Sequence, residues 1–233
     1  MNSQLVIDMK NVKKIYSNGS LKVEALKGID MTVEEGEFVS IVGTSGSGKS
    51  TLMNIIGCLD ILSSGQYFLK GKDINSYTEK ELSILRNKNI GFIFQKFNLL
   101  TKLNAYENVE LPLLYQGAKK KERHIKVTKA LQQVGLADRM DHKPSEMSGG
   151  QQQRVAIARS LVCDPALILA DEPTGNLDSK SSKEIMDILI DLNKQGATLV
   201  LITHDNDIAQ MANRTIRIKD GEVVSQKQIK EGY

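Results

Sequence analysis

The sequence predicts an α/β fold, with a mainly parallel sheet at its core, an N-terminal antiparallel β subdomain and an inserted helical subdomain. Three observations carry that expectation. Residues 5–42 hold alternating or short apolar runs broken by turn residues, which is the period of strands. Beyond residue 37, short apolar runs such as FVSIV, IGFIF, ALILA and TLVLIT alternate with segments of helical spacing, the pattern of a parallel sheet. From about Lys96 to His142 the strand pattern gives way to helices.

The elements follow in order. LVIDMKNVKKIY and VEALKGIDMTVEEGEFVSIV read as strands, with breaks at Asn18-Gly19 and Gly36. A helix is predicted over about Lys49 to Leu59, directly behind a glycine-rich loop. GQYFLKGKDI reads as a strand with a turn at Gly71, TEKELSILRNK as a helix and IGFIF as a short buried strand. AYENVELPLLYQG and KKKERHIKVTKALQQVG are the inserted helices, and Pro144-Ser145 marks the return to the core. A helix from Gln151, the strand ALILA, a helix near Lys180–Gln195, the strand TLVLIT and a short helix from Asp205 complete the alternation. TIRIKDGEVVS reads as two strands turning at Asp220-Gly221. The expected division is a single domain over 1–233, with a core at about 1–95 and 160–233 and the helical subdomain at about 96–159.

Composition bounds the function. At 233 residues, with a net charge of +3, the chain is long enough for a sizeable core but too weakly basic to suggest nucleic acid as a partner. The Lys119–Lys121 run reads as a solvated helix face. Cys58 and Cys163 lie in apolar surroundings and read as buried free thiols, which fits a reducing cytosol. No apolar run reaches bilayer-spanning length and no signal-peptide pattern is present, so the chain is expected neither to cross a membrane nor to leave the cytoplasm.

The chemistry sits where apolar runs end. FVSIV ends in the glycine loop, IGFIF in Gln95, LILA in Asp171-Glu172 and LVLIT in His204. In a parallel sheet, ligands bind beyond the carboxyl ends of the strands, so all four endings are expected on one edge. Gly43, Gly46 and Gly48, with Ser45, Ser47, Lys49, Ser50 and Thr51, form a G-x-x-x-x-G-K-[ST] phosphate loop between a strand and a helix. Its backbone amides wrap phosphate oxygens, Lys49 neutralises their charge, and the Ser50 hydroxyl can ligate Mg²⁺. Asp171 is placed to hold that Mg²⁺, and Glu172 to orient and deprotonate an attacking water. Gln95 could touch the metal or the water, or be a polar loop residue. His204 could reach a terminal phosphate; taken alone, T-H-D before a helix reads as a cap by Asp205 or Thr203. Tyr16 could stack on an adenine ring or belong to the core. His124 and His142 read as solvated. Ser148, Gly149, Gly150 and Gln151 open a helix whose amides make a second anion grip, implying two ligands or one ligand shared by two copies.

This set resembles ATP-binding-cassette (ABC) transporter ATPase subunits over nearly the whole chain. The resemblance rests on the phosphate loop at 43–51, Gln95 at the Q-loop position, MSGGQQQR at 147–154, LILADE at 167–172, GNLD at 175–178 and His204 at the switch position. Within that superfamily, GTSGSGKSTLMNIIGCLD, FIFQKFNLL, NVELPLLY and ADEPTGNLD are similar to the macrolide-export and lipoprotein-release group. Met147 stands where leucine is usual, and Gly175-Asn176 where serine-alanine is common; neither replaces a catalytic side chain.

The resemblance implies a P-loop NTPase core and ATP hydrolysis with Mg²⁺. It implies a head-to-tail dimer in which Ser148–Gln151 of one copy completes the phosphate loop of the other, with Asp178 at the seam. It also implies a cytoplasmic-face location, held peripherally by transmembrane permease subunits, with a periplasmic or extracellular adaptor as a further partner and no nucleic acid. Export or extraction of an amphipathic substrate (a drug, peptide or lipoprotein) is the function so implied. The alternative is a cassette that regulates a membrane complex, in cell division or peptide sensing, without transport. Phe97, Leu99 and Leu100 are expected to form a groove for a permease helix, and Leu111 and Leu113 to be core.

Overall fold

The computed structural model describes residues 4–19 and 21–229, which divide into two compact units, one of the described residues up to Ile84 together with those from Asn193 on, the other Leu85–Leu192. In the first unit, strands β1 (Leu5–Asn18) and β2 (Leu21–Glu34) pair antiparallel, with Asn18 opposite Leu21, and the predicted Asn18-Gly19 break falls where β1 ends, Gly19 taking φ 60. β4 (Ser64–Leu69) pairs antiparallel with β1, and the short β5 (Lys72–Asp73) folds back on β4 through the predicted turn at Gly71. The order is β2-β1-β4-β5, the antiparallel N-terminal sheet that the sequence predicts. In β2 the buried Ile29, Met31 and Val33 alternate as a strand requires, and the buried Leu26 falls out of that alternation across a register shift between Lys27 and Ile29.

The same unit holds β3 (Phe38–Val42), which is buried along its whole length and pairs in parallel with both β8 (Leu199–Thr203) and β9 (Arg214–Lys219). β10 (Glu222–Gln228) closes against β9 through the Asp220-Gly221 turn. Helix α1 (Lys49–Ile56) follows β3 and ends at a Gly57 cap, short of the predicted Leu59. Its last turn is anchored by Tyr67, whose buried hydroxyl donates to the Ile56 carbonyl at 2.8 Å.

Arg214 ties this unit together. Its guanidinium donates to both Glu37 carboxylate oxygens, at 2.7 and 3.1 Å, to the Thr32 carbonyl and to Gln226 at 2.9 Å. The two charged side chains are only 11% and 15% exposed, so removing one strands the other in a poorly solvated place. Arg214→Met is therefore expected to lower unfolding stability by about 3–5 kcal/mol. An unfolding free energy from denaturant titration within about 1 kcal/mol of the wild type would show that Glu37 finds water instead.

The second unit pairs β6 (Ile90–Phe94) in parallel with β7 (Leu167–Asp171). Helices α3 (Ala105–Tyr115) and α4 (Lys120–Gln133) pack on each other and on α5 (Gly149–Leu161). The helix α2 (Glu79–Asn89) leads into β6, and α6 (Ser179–Lys194) follows β7. α3 opens with a reciprocal cap between Asn104 and Glu107, which fixes its first turn. The adjoining loop is held by Asn108, which is fully buried and satisfied by Leu100, Leu103 and Asn104. Leu113 is core as expected, but Leu111 keeps partial exposure.

Cys58 is buried and forms no disulfide. Cys163 is free and half-buried, a little wetter than expected, and burial still pushes its thiol up to about 11. No described helix is long and apolar enough to cross a membrane.

Candidate functional site

Parallel pairing explains how separated motifs meet. In the first unit Val42 lies opposite Thr203, so the glycine loop after β3 and His204 after β8 leave the sheet at one edge. In the second unit Phe94 lies opposite Asp171, so Gln95 and Asp171-Glu172 leave together. The predicted strand endings are thus brought together within each unit.

The residues of the phosphate loop fit a phosphate. Gly48 sits at φ 103, a conformation other residues avoid, and a Cβ there would lie 2.7 Å from the Ala25 carbonyl. A Cβ on Gly43 would likewise strike the Ile218 carbonyl. Lys49 lays its ammonium over the loop, donating to the Gly43 and Thr44 carbonyls at 2.7 and 2.9 Å. Ser47 is 2% exposed, and its buried hydroxyl has no hydrogen-bond partner, an orphan of the kind that a bound anion's oxygen would satisfy. Ser45, Gly46 and Ser50 are exposed around this cradle. The described residues contain no cluster of three or more His, Cys, Asp or Glu fit to hold a metal alone.

Tyr16 belongs to the surface, not the core: it is 42% exposed on β1. Its hydroxyl donates to Asp60 at 2.7 Å, and Lys14 lies 4.8 Å over its ring while bonding Asp60 at 2.6 Å. Burial and the neighbouring Asp60 raise the Tyr16 pKa, so it stays a phenol. Burial works against the Asp60 charge, but the hydrogen bonds from Lys14 and Tyr16 prevail and hold its carboxyl below the usual range. Nothing in the sequence pattern marks Lys14 and Asp60 as partners of Tyr16.

At β8 the capping task falls to Asp205, which accepts from the Asp207 and Ile208 amides at 2.8 and 3.2 Å and opens α7 (Asn206–Ala209). His204 is exposed at the strand end and is not needed for that cap. Glu172 holds a left-handed backbone, φ 46, rare for a non-glycine residue, which turns the chain sharply after Asp171.

The glycine-signature helix starts earlier than expected, at Gly149 rather than Gln151. Ser148 caps it by accepting from the Gln151 amide at 3.3 Å, while the Gln151 side chain reaches back to the Ser148 amide at 2.9 Å. This reciprocal box uses two of the amides assigned to an anion and leaves the first-turn N–H groups of Gly149 and Gly150 outside the cap; Gly150 itself is buried, with a Cβ there 3.0 Å from the Ser181 hydroxyl. Further along α5, the fully buried Gln153 donates to the Pro173 and Phe94 carbonyls at 2.7 and 3.3 Å, pinning the helix to both strand exits. Asp178 spends both carboxylate oxygens on Ser181, at 2.9 Å to its amide and 2.8 Å to its hydroxyl, which hold its pKa below the usual carboxylate range. In the loop after Gln95, Leu100 is exposed, Phe97 and Leu99 are half-buried, and Arg159 clasps the Phe97 and Asn98 carbonyls. His124 is exposed and within 3.3 Å of the Tyr106 hydroxyl, and His142 is partly covered beside Arg139.

Comparison with known proteins agrees with this arrangement. The family described as ABC transporter matches residues 26–175. YknY of Bacillus subtilis, named as an uncharacterized ABC transporter ATP-binding protein, is 55% identical over 94% of this chain and 95% of its own. The macrolide export ATP-binding/permease protein MacB of Bdellovibrio bacteriovorus is 52% identical over 96% of this chain, which spans only 34% of that protein. Among solved structures, the dimeric post-hydrolysis state of the ATP-binding cassette MJ0796, bound to ADP and Pi, superposes with a TM-score of 0.87 at 45% identity, covering 97% of this chain and 100% of that one. The phosphate loop, the paired strand exits and these likenesses converge: the chain belongs to the ABC transporter family, as its ATP-hydrolysing cassette.

Proposed function

We propose that this cassette powers the export or extraction of an amphipathic substrate through a transmembrane permease, on whose cytoplasmic side it sits. The observation that carries the reading is its likeness to MacB, a single protein whose name joins the cassette to a permease and to macrolide export. A separate extracytoplasmic adaptor belongs to the same reading. The helical subdomain, at about 96–159, is assigned the permease contact, with the exposed Leu100 and its neighbours Phe97 and Leu99 as the docking side chains.

In the working unit two copies pair head to tail, each nucleotide lying between one copy's phosphate loop and the other's Ser148–Gln151 turn; that the similar cassette MJ0796 is dimeric supports pairing. Tyr16 stacks on the base, held in place by Asp60 and Lys14. Gly43 to Thr51 hold the phosphates, with Lys49 leaving its loop carbonyls for phosphate oxygens. Ser50, Gln95 and Asp171 are the residues that would hold Mg²⁺, which when bound would draw charge from the phosphates. Glu172 takes the proton of the attacking water, and His204 hydrogen-bonds the terminal phosphate. Asp178 borders the copy-to-copy seam.

Vesicles carrying the cognate permease together with the cassette test this reading. ATP is expected to drive substrate transport, and Lys49→Ala to abolish it along with ATP turnover. ATP turnover that changes the permease's conformation but moves no substrate would establish the regulatory role instead.

A further inference from the structure

Gln95 and Asn176, 81 residues apart in the chain, form a reciprocal pair. Asn176 Nδ2 donates to the Gln95 backbone carbonyl at 3.0 Å, and Gln95 Nε2 donates to Asn176 Oδ1 at 3.3 Å. The polarity of this pair is forced. A backbone carbonyl only accepts, so Asn176 must turn its NH₂ toward it; Oδ1 then faces Gln95, and only an NH₂ can meet it. The Gln95 amide is thereby left with its oxygen directed away from Asn176, and Oε1 makes no hydrogen bond to the described residues. Gly175 supplies the room. A Cβ there would lie 2.7 Å from Gln95 Nε2 and 3.1 Å from its Cδ, so the bare glycine lets the amide lie against the backbone.

We infer that Asn176, with Gly175, is a positioning residue that fixes the orientation of the Gln95 amide, so that an oxygen rather than an NH₂ is offered to Mg²⁺ or to a water proton. The inference rests on the proposed assignment of Gln95 as a metal residue. A glutamine free to turn over would present a donor part of the time, and a divalent cation rejects a donor. Both side chains are exposed. Their hydrogen bonds therefore orient the amide without adding much to the fold, and their loss falls on metal affinity rather than on melting.

The full chain with a non-hydrolysable ATP analogue and Mn²⁺ as the probe tests this, free Mn²⁺ being read by electron paramagnetic resonance. Asn176→Ala is expected to weaken Mn²⁺ binding about 3- to 10-fold, the factor carried by a hydrogen bond of ordinary strength. Nucleotide affinity without metal and the melting temperature should hold. Gly175→Ser, whose Cβ pushes the flexible end of Gln95 aside, should weaken Mn²⁺ in the same direction. In a Gln95→Glu background either side-chain oxygen serves, so adding Asn176→Ala should cost nothing. Equal losses from Asn176→Ala in both backgrounds would overturn the inference. So would unchanged Mn²⁺ affinity in Asn176→Ala when Gln95→Ala lowers it. If Gln95→Ala itself leaves Mn²⁺ affinity untouched, the assignment of Gln95 as a metal residue fails first, and the inference falls with it.

Discussion

Glu172→Gln is expected to cut ATP turnover by about a hundredfold or more while leaving ATP binding intact. The amide keeps the size and hydrogen-bonding reach of the carboxylate but cannot accept a proton. The position is unlike an ordinary surface glutamate. Glu172 directly follows Asp171 at the end of β7, and its left-handed backbone, φ 46, turns the chain sharply at the strand end. The turn is fixed from both sides, by the Gly175 amide donating to the Glu172 carbonyl at 3.0 Å and by Gln153 on the Pro173 carbonyl at 2.7 Å. The substitution should therefore leave the local structure in place, and with hydrolysis stalled, ATP should hold two copies together. Single-turnover hydrolysis, equilibrium nucleotide binding and size-exclusion chromatography with ATP measure these three quantities. Turnover within about twofold of the wild type would remove Glu172 as the base.

Ser148→Arg is expected to reduce turnover to background with nucleotide binding to the single copy unchanged. Two effects act together. The cap on the Gln151 amide is lost, worth about 1 kcal/mol. A long cation is also placed at a helix N-terminus, where the dipole disfavours it and where the proposed shared site would bring the other copy's phosphates. Ser148→Ala separates the two, since it removes the cap without bulk or charge and should retain most of the turnover. If Ser148→Arg instead abolishes binding to the single copy, the signature helix serves the nucleotide of its own chain, and the shared-site reading is wrong.

Much of the candidate site was legible because its chemistry is written in contiguous residues. A phosphate loop needs glycines and a lysine at set spacing between a strand and a helix, and residues 43–51 supply all of it locally. The reciprocal partners were not legible. Asn176 carries no mark that it orients Gln95, and Asp60 none that it orients Tyr16, because each pairing depends on where the chain has travelled in between. The start of α5 was misplaced for a related reason. Gly149 and Gly150 have poor helix propensity, yet they are helical because Ser148 and Gln151 close a cap around them. Asp178 is a local case of the same kind: its motif carries no mark that its oxygens accept from Ser181 in the first turn of α6.

The sequence by itself determined the order of strands and helices, the phosphate loop and the four polar endings. Hydrophobic period and turn chemistry act over a few neighbouring residues and need no knowledge of the rest of the chain. Only the tertiary structure decided which ending stands beside which, through the registers that set Val42 opposite Thr203 and Phe94 opposite Asp171. It alone decided that Glu172 turns through a left-handed backbone, and which end of the Gln95 amide is offered to a ligand. Those outcomes rest on hydrogen bonds between residues distant in sequence, whose geometry exists only once the strands have paired.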